Sequence, residues 1–222
     1  MSSTENNRRS SHVEMPVTYA AVGASKLADV VRFPPEGTES YLEALQLGSG
    51  QERFVAASSL LMTWGAQRGA GIEVSEIVRG TDEAYVGPEF DESGQAQGIR
   101  VREEQFGPDG EPYIVPGTSA VFTLSGQTPR SVLVVYTVDE DQMAGFAWGT
   151  RDEDGVVGEQ RFTVEIREDQ TVWAVARGFL ASPKSGLLGL KGKALIREAV
   201  ELAKDQLEAL APGAADRAQR SS

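Results

Sequence analysis

Residues 160–167 alternate strictly. Phe162, Val164 and Ile166 fall on one side, and Arg161, Thr163, Glu165 and Arg167 on the other. That two-residue period is the mark of a strand covering a core on one face. Residues 171–180 alternate differently: Trp173, Val175, Arg177 and Phe179 oppose Val172, Ala174, Ala176 and Gly178, so one face is bulky and the other small. Both belong to a meander of short strands that first passes through "SAVFTLSG", "RSVLVVYTVDE" and "MAGFAWGT". Ahead of these, "GIRVREEQF" and "EPYIVPG" flank a turn at Gly107-Pro108-Asp109-Gly110, where proline presets φ and glycine supplies a positive φ. Every join is short, which favours sequential antiparallel pairing.

Two stretches have helical spacing instead. "QERFVAASSLLMTWGAQ" sets Phe54, Ser58, Leu61, Met62 and Gly65 in a stripe and predicts an amphipathic helix over 51–67, ending near Gly69. Leu188, Leu195, Ala199 and Leu202, flanked by Ile196, Ala203 and Leu207, form a broader stripe with Lys and Glu opposite. They predict a C-terminal helix over 186–210. Gly186, Gly189 and Gly192 in its first turns either let it pass close to a sheet or loosen it there. Residues 39–47 read as a strand, with a helical turn as the competing reading because Leu, Glu and Ala favour helix. "AGIEVSEIV" reads as a further strand, and the polar, glycine-rich stretch 79–97 as a long loop. "PVTYAAVGAS" is a short apolar segment ending in a glycine turn, and "RFPPEG" is a proline-stiffened connector.

A strand, a helix, a long antiparallel meander and a long closing helix make an α+β order with few solutions. A curved antiparallel sheet of six or seven strands must cover its concave apolar face, and the C-terminal helix is the element long enough to do so. The expected fold is therefore a helix-grip: a sheet wrapped around a helix, with room between the two for a concave, mostly apolar ligand site. One domain over 16–210 is expected, between a disordered leader over 1–15 and a disordered tail over 211–222.

Charge and chemistry narrow the function. The 21 Lys and Arg against 33 Asp and Glu give a net charge of -12, with the basic residues scattered, which disfavours nucleic acid and anionic membrane surfaces. The chain has no cysteine, and His12, its only histidine, lies in the polar leader. Ser-His-Asp and Cys-His catalysis and the usual zinc sets are thereby removed. No cofactor or metal is implied, although an all-carboxylate site stays open. The leader has no apolar run of a signal peptide, and no stretch approaches the roughly 20 apolar residues of a membrane helix, so a cytoplasmic location is the default expectation.

Four segments carry a resemblance: "TYAAVGAS", "LGSGQERFVAASSLLMTWGAQRGAG", "VVYTVDEDQMAGFAWGT" and "GEQRFTVEI" with "VWAVARGFLASP". Together they look like the domain of unknown function 1990 family of bacteria and plants, over about Thr18 to Ala209. The resemblance implies a fold similar to the birch-pollen-allergen and START superfamily, and it implies no activity. Where the family carries tyrosine and then a histidine-proline turn, this chain has Trp148 and "RDEDGVV", and Gly158-Glu159-Gln160 keeps only the first glutamate.

Trp148 and Trp173 are the first candidates for a ligand wall, each a large ring with an N–H handle, although either could simply fill the core. Tyr136 and Phe179 join them as cavity lining. Glu159, within reach of Arg161 and Arg177, is a candidate polar anchor at the cavity mouth, with Arg177 completing the rim; a solvated ion pair is the plainer reading. Asp152, Glu153 and Asp154, like Asp139, Glu140 and Asp141, read as turn chemistry rather than a calcium loop. The residues thus point to a protein that binds an apolar or amphipathic small molecule. Alternatives are a carboxylate-dependent enzyme with Glu159 as acid or base, and an interaction domain with a filled core.

Overall fold

The computed structural model describes residues 17–80, 104–182 and 189–214. The leader, most of the 79–97 loop, the start of "GIRVREEQF", Gly186, Leu188 and the end of the tail lie outside them. Seven strands form one sheet: β1 Glu39–Ser49, β2 Glu73–Val78, β3 Ser119–Thr123, β4 Arg130–Glu140, β5 Met143–Thr150, β6 Val157–Ile166 and β7 Thr171–Ala181. Their order is β1-β7-β6-β5-β4-β3-β2, and every pair is antiparallel. β3 to β7 form the expected meander of neighbours, and the first strand returns to pair with the last. Three helices, α1 Gln51–Met62, α2 Gly65–Gly69 and α3 Gly189–Ala209, cover one face. This is the helix-grip, with the work of covering divided: α1 packs on β1, β5 and β6, while α3 packs on β1, β7 and α2.

The small face of β7 is the one turned to the helices. Ala174 and Ala176 are fully buried in the main core with Leu207 of α3, and short side chains there let a helix approach the sheet closely. Phe162, Val164 and Ile166 share that core, as their alternation requires. Gly178 continues the small face for a stricter reason, since a Cβ would lie 2.2 Å from the carbonyl oxygen of Glu159 on β6. Gly192 admits α3 past the end of β7, because a Cβ there would meet Ser182.

The single helix predicted over 51–67 is two. Trp64 takes a left-handed conformation at φ 63° and breaks it, a backbone state that costs a non-glycine residue of order 1–3 kcal/mol. The break turns the indole into the core, where it meets Phe122 and Phe146 edge-on at 5.5 and 5.2 Å. "EPYIVPG" is a second correction: it forms no strand of the sheet, making one bridge, between Phe106 and Pro112, and touching β4 where Gly117 N–H donates to Val134 O (2.8 Å). Its prolines lack the N–H of a ladder, and Ile114 N–H donates instead to Met62 O at the end of α1 (2.9 Å). Ile114 and Val115 are buried there as a plug.

The opposite face of the sheet is partly covered as well. Residues 17–38 cross it, with a short 3-10 helix at Ala24–Lys26 and Val30 fully buried. Val135, Tyr136 and Ala147 form a second, smaller core on this side.

Candidate functional site

Between the sheet and the free side of α3 lies a cavity of about 820 Å³. Phe122, Val132 and Trp148 wall it on the sheet side, and Leu195, Ala199 and Leu202 on the helix side. The apolar stripe of α3 is thus split. Ile196, Ala203 and Leu207 are buried in the core, whereas Leu195, 37% exposed, borders the cavity. A volume in the range of roughly 300–1,000 Å³ is that of pockets taking small organic ligands. A second cavity, beside Phe54, Met62 and Tyr113, measures about 190 Å³.

Trp148 serves both readings made of it. Its ring meets Phe122 edge-on at 5.2 Å and is almost wholly buried, yet it forms part of the cavity wall. Its Nε1–H is buried without a hydrogen-bond partner among the described residues.

Polar groups converge on the same space. Tyr41 donates its hydroxyl proton to Gln160 Oε1 at 2.7 Å, and burial raises the Tyr41 pKa well above the ordinary tyrosine value, so that the phenol stays a donor. Gln160 lines the cavity, and its Nε2 has no partner among the described residues. Gln206 of α3 accepts from Gln67 Nε2 (3.1 Å) and donates to Leu202 O (3.1 Å). At one end Arg130 donates from Nε to Asp152 (2.6 Å) and from Nη2 to Val156 O (3.0 Å), tying the 152–156 turn to β4. Ser131 N–H also donates to Asp152 (2.7 Å), the turn chemistry expected of that residue.

The other five predicted residues lie on the far face. In the register of the sheet, Gly149, Glu159 and Phe179 form one row and Ala147, Arg161 and Arg177 the next, with Tyr136 opposite Ala147. Trp173 stands further along that face, its Nε1 donating to Thr171 Oγ1 (2.9 Å) and its ring under Arg167 at 4.1 Å. None of these five borders the cavity that Trp148 walls.

Glu159 is fully buried and has no ion pair with Arg161 or Arg177 among the described residues. Three donors hold it: Tyr19 hydroxyl (2.8 Å) and Gly23 N–H (2.7 Å) at Oε2, and Ser25 N–H (2.9 Å) at Oε1. The donors all come from the segment crossing this face. Tyr19 also meets the Phe179 ring edge-on at 5.6 Å. Its room is made by Gly149, where a Cβ would come 2.1 Å from the Tyr19 oxygen. Ser25 Oγ and the Tyr136 hydroxyl share a 2.6 Å hydrogen bond. Glu159 is thus an anchor for the N-terminal segment and not a rim group of the cavity.

Sequence reasoning passed over Gln160, although the signal was present. It is a polar residue on the apolar register of Phe162 and Val164, and buried polar groups on such a register are held by specific partners. Among the described residues no cluster of three or more His, Cys, Asp or Glu is placed to hold a metal ion, and no helix is long and apolar enough to cross a membrane.

A family model described as a domain of unknown function (DUF1990) matches residues 18–87 and 94–194. No curated protein sequence matches the chain. Among solved structures, a hypothetical protein from Helicobacter pylori is similar at a TM-score of 0.49 and 10% identity, over 87% of this chain and 97% of that one. Ara h 8.0201 is similar at 0.45 and 11% identity, over 78% and 95%.

Proposed function

The chain belongs to the domain of unknown function 1990 family, which is defined without an activity, and on that premise we propose that it binds an apolar or amphipathic small molecule between its sheet and α3. The observation that carries this reading is the cavity of about 820 Å³. The space opens to solvent past Arg197, Glu198, Glu201 and Asp205, and an apolar ligand gains by displacing water from the Phe122, Val132 and Trp148 wall at its inner end. Phe122, Val132, Trp148, Leu195 and Leu202 suit the body of an apolar ligand. Gln160 Nε2 and the Arg130 end supply the few polar groups that would fix its orientation.

Native mass spectrometry of freshly purified protein is expected to show a retained small-molecule adduct, and an apolar fluorescent probe is expected to bind with one-to-one saturation. Trp148→Ala is expected to change probe binding, whereas Phe162→Ala, in the closed core, destabilises by about 3–5 kcal/mol and leaves the probe affinity of the folded fraction alone. Absence of both adduct and saturable probe binding in the parent protein would sink the proposal.

A further inference from the structure

Arg161 on β6 and Arg177 on β7 stand directly opposite each other on the face away from the cavity. Like charges so paired repel, with Cβ atoms about 5 Å apart in an antiparallel ladder. Both side chains are partly buried, and neither has an ion-paired carboxylate among the described residues. Arg177 Nη2 donates to Lys26 O at 3.0 Å, and Arg161 Nη2 reaches only Met143 Sδ at 2.9 Å, a weak acceptor. The Nε groups of both are buried without partners among the described residues.

A third cation stands beside them: Lys26 places its ammonium 4.4 Å from the centre of the Tyr136 ring. Neither nearby carboxylate forms an ion pair with the two arginines among the described residues, although Glu165 lies near enough for its charge to act on Arg177. Glu159 is held by Tyr19, Gly23 and Ser25, and Glu165 accepts from Thr163 Oγ1 at 2.9 Å. Burial first, and the charge of Arg161 second, lower the pKa of Arg177 from its ordinary value. A chain of net charge -12 therefore places two adjoining guanidinium groups on one sheet face with no ion pair to either among the described residues.

We infer that Arg161 and Arg177 form a binding site for a phosphate-type oxyanion, with Lys26 at its edge. Guanidinium forks match such an anion with paired donors, and one anion between the two would cancel their repulsion and occupy donors that now have no acceptor. The ligand is either free phosphate or the phosphoryl group of a small ester. The site is separate from the cavity, so an occupied cavity neither requires nor excludes it.

The test is a titration of the nitrogen-15-labelled protein at fixed ionic strength, following the arginine Nε–H signals as chloride is exchanged for inorganic phosphate or, in a second arm, phenyl phosphate. Saturable shifts of two arginine signals in either arm are expected, assigned by their disappearance in Arg161→Gln and Arg177→Gln, and the arm that saturates at lower concentration identifies the source. Binding in each single variant is expected to weaken by about tenfold or more, as loss of a charge-assisted pair implies. Shifts that stay linear in both arms of the parent protein overturn the site, and this result does not depend on any variant folding. Undiminished saturation in Arg177→Gln overturns it equally.

Discussion

A carboxylate without exposed surface persists inside a protein only where donors surround it, and Glu159 has three, all from residues 19–25. Glu159→Gln keeps the shape but turns an NH₂ group toward at least one donor. Equilibrium urea unfolding is expected to show a loss of about 2–3 kcal/mol, the scale of hydrogen bonds to a buried charge. Probe binding in the cavity, on the other side of the sheet, is expected to be unchanged. A variant as stable as the parent would return Glu159 to the role of a free acid or base. That Glu159 lies on the face away from Phe162 was legible from the two-residue period alone. Its burial was not, because the covering segment is more than a hundred residues distant in sequence and nothing in "TYAAVGAS" announces where it docks. For the same reason four of the predicted lining residues besides Glu159 were placed with Trp148 by chemical type, when their odd-numbered register on β7, and the bulge before Tyr136 on β4, set them on the far face.

Among the elements, α3 divides its apolar residues between core and cavity, and the two halves are expected to respond differently to charge. Leu207→Asp puts a carboxylate where the leucine is 2% exposed, and a loss of about 4 kcal/mol or more is expected. Leu195→Asp, at the half-exposed cavity border, is expected to stay within about 1 kcal/mol of the parent while weakening an apolar probe. Thermal unfolding of the pair checks both. Helical periodicity located this stripe but could not apportion it, since the apportioning depends on where α2 meets α3. The break at Trp64 was hidden for a similar reason: a left-handed non-glycine residue is unfavourable locally and is maintained by the aromatic packing it permits with Phe122 and Phe146. The strands of the meander, by contrast, carry their own alternation, and their order followed from short joins.

For the molecule as a whole, three phenols, Tyr41 and Tyr136 buried and Tyr19 half-buried against Glu159, set a limit on alkaline stability. Burial pushes Tyr136 up to about 12 and raises Tyr19 and Tyr41 further. In the unfolded chain all three ionise near the ordinary value of 10.0. Above that value the unfolded state has lost protons that the folded state retains, so stability, fully present below about pH 10, falls as pH rises toward 12 and beyond. Tyrosinate absorbance and far-ultraviolet circular dichroism are expected to change together in that interval, with Tyr41→Phe moving the transition to higher pH; independent transitions would contradict the burial. The sheet order also has a consequence for synthesis. β1 has no neighbour but β7, and Tyr19 none of its carboxylate until β6 exists. On the ribosome the first-made strand therefore waits as an unpaired edge until the last has emerged, with its ladder groups open to any other chain. Closing so long a loop adds entropy cost before any contact repays it. The fold is thus committed only once β7 has been made, and a nascent chain halted short of residue 157 has both the beginning of its sheet and the strap over it still undocked.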